Sequence, residues 1–403
     1  MSELLFDPFN PQFRADPYPF YDTLRQHEPI HLTALGLVVL TRYEDVSSTL
    51  RSNDFSRDVD RYATRLSSPL QQRRRKRNEG RTKSILDLDP PDHTRLRRLV
   101  SKSFTPTAIE RLRPRIQQLV DEILDRAEER GTMELVDDLA FPVPFQVISD
   151  LLGMPTERVD ELRSWSQTIT QSLEPTATDA ELDATEDALE ELVPYLTAII
   201  ERRRKHLADD MLSSLITVEE AGERMSTHEL MAFVVLLYIA GHETTVNLIG
   251  NGTLALLRDP EQLAIARSNG LGAGAVDELL RLDGPVQHTV RVPLVPVHFD
   301  VAGERINIEA GTIVLASLGA ANHDPAVFES PHELQLDRPN AHRHLAFSAG
   351  IHYCLGASLA RLETEVAIGS LITRFSSLQI NDQPEWRDRL TIRGVSRLSL
   401  SCS

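Results

Sequence analysis

The sequence predicts a mainly helical fold, one domain over 1–403 with small β-sheets at its edges, and three observations lead there. Apolar residues recur three and four positions apart through most of the chain. Strand-like alternation is confined to a few short stretches. No internal repeat and no long linker divides the 403 residues, which are enough to bury one large core. Hydrophobic residues at 41% and charged ones at 26% are a globular balance, not a disordered or membrane one.

Taken in order, the acidic, proline-rich start from Met1 to Phe20 carries no secretory pattern. Ile30 to Tyr43 predicts a hairpin turning at Ala34-Leu35-Gly36. Arg73-Arg74-Arg75-Lys76-Arg77, with Arg81 and Lys83, is a basic block in an otherwise acidic protein, and Glu174 to Glu191 is acidic; both read as solvated faces. Helical spacing runs through Ile109 to Ala127, Glu191 to Leu207 and His228 to Leu257. Ser226-Thr227-His228-Glu229 marks the start of the last of these. The apolar stretch Leu230 to Gly241 is too short to span a bilayer and continues into polar residues, so a buried helix is expected. Gly270 to Ala275 fits a loose dinucleotide pattern, but Glu261 to Arg267 before it reads as helix, where that motif needs a strand. Val290 to Leu318 alternates in pieces around Gly303 and Gly311.

The formal charge of −17 argues against nucleic acid and anionic lipid as partners. The two cysteines, Cys354 and Cys402, form no disulfide framework and fit a reducing cytoplasm. Cys402 lies next to the C-terminus. Cys354 ends an irregular loop, Phe347-Ser-Ala-Gly350-Ile-His352-Tyr-Cys354-Leu-Gly356, and a helix pattern follows at once. Unpaired N–H groups and the dipole at a helix start favour thiolate over thiol. Gly350 and Gly356 are expected in backbone conformations other residues avoid.

This segment resembles the haem-binding signature of the cytochrome P-450 superfamily, Phe-x-x-Gly-x-x-x-Cys-x-Gly, in its soluble bacterial form with Gly-x-His-x-Cys. The resemblance implies a triangular helical prism around a buried haem b, with Cys354 as the axial iron ligand and Phe347 shielding it. It extends to Glu278-Leu-Leu-Arg281 with Arg338, a structural triad that locks the loop before the cysteine. It extends also to Ala240-Gly241-His242-Glu243-Thr244-Thr245. There it implies Thr244 as the alcohol steadying oxygen and Glu243 as the proton-relaying acid. Ala240 and Gly241 would border the oxygen site, and Leu236, Ala240 and Val286 would touch substrate. Glycine followed by two threonines predicts a local distortion of that helix.

Haem propionates need cations, and the resemblance assigns His93, Arg97, Arg291 and His352 to them, with Arg95 and Arg98 outward. The implied reaction inserts one atom of O2 into an unactivated C–H bond of a hydrophobic small molecule, by hydroxylation or epoxidation, in secondary or lipid and terpenoid metabolism. No reductase module or membrane anchor is seen, so electrons are expected from a separate ferredoxin or flavodoxin and its NAD(P)H-dependent reductase. The carrier would dock near Arg95, Arg98, Lys102 and Arg343. Rival readings are a peroxide-driven peroxygenase, against which the Glu243-Thr244 pair argues, and a non-catalytic haem sensor. Specificity is expected from residues 57–86, 165–195 and 286–290. The Arg73 to Lys83 block is open to attracting an anionic substrate, and the 5% aromatic content fits a bulky aliphatic one.

Overall fold

The computed structural model describes residues 6–7, 10–33, 36–64, 69–155, 157–174, 177–220 and 222–403. Its axis is a central helix of 32 residues, Thr227–Arg258. Ser226 accepts from the Glu229 N–H at 3.2 Å while the Glu229 carboxylate accepts from the Ser226 N–H at 2.8 Å. This is the reciprocal cap the sequence predicts, worth about 1 kcal/mol. By length and composition the helix could cross a membrane, yet 67% of its most apolar window is buried inside the fold. It is a core helix.

The distortion expected at Gly241 to Thr245 does not occur, and the helix runs unbroken. Instead His242 Nδ1 lies 2.5 Å from the Tyr238 carbonyl, Thr244 Oγ1 donates to Ala240 O at 2.9 Å and Asn247 Nδ2 to Glu243 O at 2.8 Å. Polar side chains bonding four residues back satisfy themselves without breaking the ladder.

Helices Arg113–Arg130, Pro142–Leu152, Ala273–Asp283 and Ala357–Arg374 surround this axis and share its core. The pattern from Ile109 to Ala127 is in fact two helices, Pro106–Glu110 and Arg113–Arg130. Pro114, which has no N–H to give, fits only in the first turn of the second. Glu191 to Leu207 overlaps the second half of Asp179–Lys205, which ends two residues short of Leu207. Pro260–Asn269 is helical, so no strand feeds Gly270 and the dinucleotide pattern is rightly set aside.

A five-stranded sheet orders Ile30–Leu32, Val38–Leu40, Val314–Ser317, His288–Pro293 and Phe55–Ser56. The first two are antiparallel, as the hairpin predicts, although Ala34 and Leu35 of its turn lie outside the described residues. Val297–Val301 and Glu304–Ile308 form a hairpin at Gly303, whose φ is 87°. Thr132–Glu134 joins Leu378–Ile380 and Ser399–Cys402 in a further sheet that the sequence analysis did not expect.

The two charged segments singled out by the sequence are each other's partners. The helix Pro69–Asn78 lies against the start of Asp179–Lys205, with Arg73 on Asp179 at 2.6 Å, Arg77 on Asp183 at 2.5 Å and Arg81 on Glu186. Lys83 meets Asp58 at 2.5 Å. They are not merely solvated faces. Exposed pairs contribute only about 0.2–1 kcal/mol each and weaken with salt. Arg77→Glu should therefore lower the urea midpoint slightly in dilute buffer, and molar sodium chloride should remove most of the difference from the parent.

Candidate active site

The cysteine loop is built by backbone constraint. Gly350 has φ 70°, and a Cβ there would fall 2.5 Å from the Leu50 carbonyl, so only glycine fits. Gly356 is different. Its φ of −85° is ordinary and a Cβ would meet nothing within 4 Å, which corrects the expectation that it needs a special conformation. It caps the helix Ala357–Arg374, and its N–H bonds the Cys354 sulfur. The Cys354 N–H donates to the Phe347 carbonyl at 3.0 Å. The Arg361 guanidinium covers the Phe347 ring at 4.7 Å.

Burial pushes the Cys354 thiol up, while the Gly356 N–H, Arg97 and Arg361 work against that. The expected thiolate is thus not delivered by the helix start alone.

Beside the loop lies a cluster of basic side chains, on which the Asp89 carboxylate acts only from beyond ion-pair distance. The His93 and His352 rings are 4.4 Å apart, with His93 Nδ1 and His352 Nε2 buried and without hydrogen-bond partners. Arg291, 3% exposed, donates to Thr289 Oγ1 and Val290 O and meets no carboxylate at ion-pair distance among the described residues. Arg97 donates to the Tyr353 carbonyl at 2.7 Å. Burial, then His93, Arg291, Arg57 and Arg97, push His352 down to about 2. Burial and Arg57 push Arg291 to about 9. Such a group is tolerated when anions sit within it. The four predicted residues therefore fit two propionates, and they stand next to the one thiol that fits iron. Arg57, which donates to the Val290 carbonyl at 3.1 Å, is a fifth member the sequence analysis missed.

The predicted triad is assembled and buried. Glu278 holds Arg281 at 2.7 and 2.8 Å and Arg338 Nε at 3.0 Å from both oxygens. The two guanidinium groups also bind the carbonyls of Asn322, Glu329, Ser330, Pro331 and Glu333, fixing the chain that leads into the cysteine loop. The neighbouring Asp277 takes His344 at 3.2 Å and Arg361 at 2.7 Å, gripping both sides of that loop. Asp277 was not anticipated.

On the central helix, Leu236, Ala240 and Thr244 form a row at four-residue spacing that is open or half-open, while Leu237, Tyr238, Ile239, His242, Glu243 and Thr245 are buried. Gly241 faces elsewhere: a Cβ there would come 3.2 Å from Ile148, so it lets the helix Pro142–Leu152 approach. Glu243 also points away from the row, each of Arg387 and Arg389 reaching its Oε1 at 3.2 Å. Val286 bridges to Ile392. Of the expected docking cations, Arg98, Lys102 and Arg343 are exposed, but Arg95 is paired with Glu229 and, at 3.6 Å, Glu223.

The family model for Cytochrome P450 matches residues 29–268 and 273–399. Cytochrome P450 107B1 of Saccharopolyspora erythraea is 39% identical over 97% of this chain and 96% of its own length. The vitamin D(3) 25-hydroxylase of Pseudonocardia autotrophica is 39% identical over 98% and 96%. Among solved structures, P450BioI in complex with acyl carrier protein bearing hexadec-9Z-enoic acid superposes with a TM-score of 0.88 at 34% identity, covering 97% of this chain and 99% of that one. The thiol-bearing loop, the cation cluster and the buried triad are thus set in a fold shared along the whole length, and the chain belongs to the Cytochrome P450 family of haem b monooxygenases.

Proposed function

We propose that the chain hydroxylates or epoxidises a bulky, mainly aliphatic small molecule, with Cys354 as the iron ligand and electrons from a separate ferredoxin or flavodoxin and its NAD(P)H-dependent reductase. The observation that carries the reading is the cluster of His93 and Arg291, buried, with Arg97 and His352, half-buried, beside Cys354, none of them at ion-pair distance from a carboxylate among the described residues. These side chains would hold haem, Cys354 by its sulfur and the cluster by the propionates. Bound haem supplies the oxygen activation and the C–H chemistry.

The chain's own residues supply position and protons. Leu236 and Ala240 offer an uncharged surface to an apolar substrate, and Val286 is the third proposed contact. The Thr244 hydroxyl, bonded to Ala240 O, can rotate its proton toward the open side of the helix. Glu243 Oε2 is buried with no hydrogen-bond partner, so it can accept a proton carried by water while the two arginines hold Oε1. The name of the vitamin D(3) relative and the acyl chain in the P450BioI complex support an aliphatic substrate. Arg73, Arg77, Arg81 and Lys83 already meet carboxylates and are not free to steer an acidic substrate. For the carrier, Arg98, Lys102 and Arg343 remain the proposed dock, without Arg95.

Thr244→Ala tests the catalytic assignment. With a substrate found by spin-state titration, product per NAD(P)H consumed should fall about tenfold and hydrogen peroxide should rise to match. Unchanged coupling would remove Thr244 from the reaction.

A further inference from the structure

Glu243, Asn247 and Asn251 follow one another at four-residue spacing, a polar row on an apolar, buried helix. All three meet one strap of chain, 387–395, between the strands Glu385–Trp386 and Val395–Arg397. Arg387 and Arg389 reach Glu243. Gly394 presses on Asn247 so closely that a Cβ would fall 1.9 Å from its Oδ1. Asn251 accepts from the Val395 N–H at 3.2 Å and donates to the Arg393 carbonyl at 3.3 Å.

Asp283 holds the Arg393 end of the strap at 2.9 Å, and a second carboxylate holds its middle. Glu174, 4% exposed, accepts from the N–H groups of Leu390 at 2.8 Å, Thr391 at 2.9 and 3.1 Å and Ile392 at 3.4 Å. Burial pushes its carboxyl up, and these three N–H groups, with Arg389, pull against that. A carboxylate bound by successive N–H groups fixes their backbone, and here the next residue back is Arg389. The second guanidinium nitrogen of Arg389 donates to the Gln167 carbonyl at 3.3 Å, so its aim depends on the same junction. Glu174 is not among the groups bonded to the cysteine loop or the cation cluster.

We propose that Glu174 is a positioning residue for Glu243, fixing the backbone of 390–392 so that Arg387 and Arg389 present their guanidinium groups to the Glu243 carboxylate. The inference rests on the reading of Glu243 as the proton-relaying acid. Displacement of a supporting group by a fraction of a hydrogen-bond length is enough to slow a positioned proton transfer. Glu174→Gln keeps the size of the side chain but replaces two accepting oxygens with one.

The test uses haem-loaded protein with a plant-type ferredoxin and its NADPH reductase, measuring substrate-free NADPH oxidation in H2O and in D2O. Glu174→Gln, Arg389→Gln and Glu243→Gln should each slow oxidation about tenfold and raise the solvent isotope effect, with the carbon monoxide spectrum unchanged. The Glu174→Gln/Arg389→Gln double variant should be no slower than the slower single one, as expected when one residue acts through the other. If Glu174→Gln does not load haem, Glu174→Asp should give an intermediate rate. Glu174 variants within about twofold of the parent, beside a slow Glu243→Gln, overturn the inference alone. A Glu243→Gln rate equal to the parent's overturns the reading of Glu243 and the inference with it.

Discussion

Glu278→Ala should be the most destabilising single change outside the cofactor site, at about 3–5 kcal/mol. Removing this carboxylate leaves two guanidinium groups in the interior, Arg281 at 1% and Arg338 at 7% exposure, with only carbonyls to solvate them. A buried ion pair contributes little over a well-packed apolar substitute, but half of one is costly. The loss should appear in urea unfolding followed by circular dichroism. It should also release haem early, because the same arginines hold the carbonyls of Asn322 to Glu333 ahead of Cys354. A Glu278→Ala protein as stable as the parent would mean the triad is an ornament of the fold.

Cys354→Ser should abolish monooxygenase activity while leaving the fold intact. The side chain donates no hydrogen bond on which the loop depends; the loop is held by the Cys354 N–H on Phe347 and by Asp277 on His344 and Arg361. Serine keeps that geometry and removes the soft, electron-donating sulfur. Activity should fall below detection, at least about a thousandfold, since the cofactor performs the bond-breaking steps. Cys402→Ser is the matched control. Cys402 pairs with Leu378 in an edge sheet, and its replacement should leave turnover unchanged. Retained turnover in Cys354→Ser would assign the iron to another ligand.

The parts of this protein legible in sequence are those where residue type and spacing carry the constraint directly. Gly350, Cys354 and the Glu278–Arg281 pair fall within short windows, and their geometry follows from backbone angles and helical pitch. The central helix was legible from its cap and its apolar run. Other features depend on residues brought together from far along the chain. Arg57 joins Arg291 only because Phe55–Ser56 pairs with His288–Pro293. The salt bridges between Arg73–Arg81 and Asp179–Glu186 come from two charge runs that were each visible while their meeting was not.

Some expectations failed for physical reasons. The threonines after Gly241 did not break the helix: Thr244 and Asn247 bond back to the carbonyls four residues earlier and the helix runs on through them. Arg95, expected among the docking cations, is paired with Glu229. The row Glu243, Asn247, Asn251 was in plain sight at four-residue spacing in an apolar helix, and it announced a buried polar partner that only the strap 387–395 could identify. A sensing role without catalysis is set aside by membership of a monooxygenase family.

The most direct test is the absorption spectrum of the reduced, haem-loaded protein under carbon monoxide. Sulfur ligation through Cys354 should move the Soret band far to the red of its position in imidazole-ligated haem proteins, and Cys354→Ser should lose that shift. A well-folded preparation that binds no haem, or whose spectrum is of the imidazole type, would contradict the account.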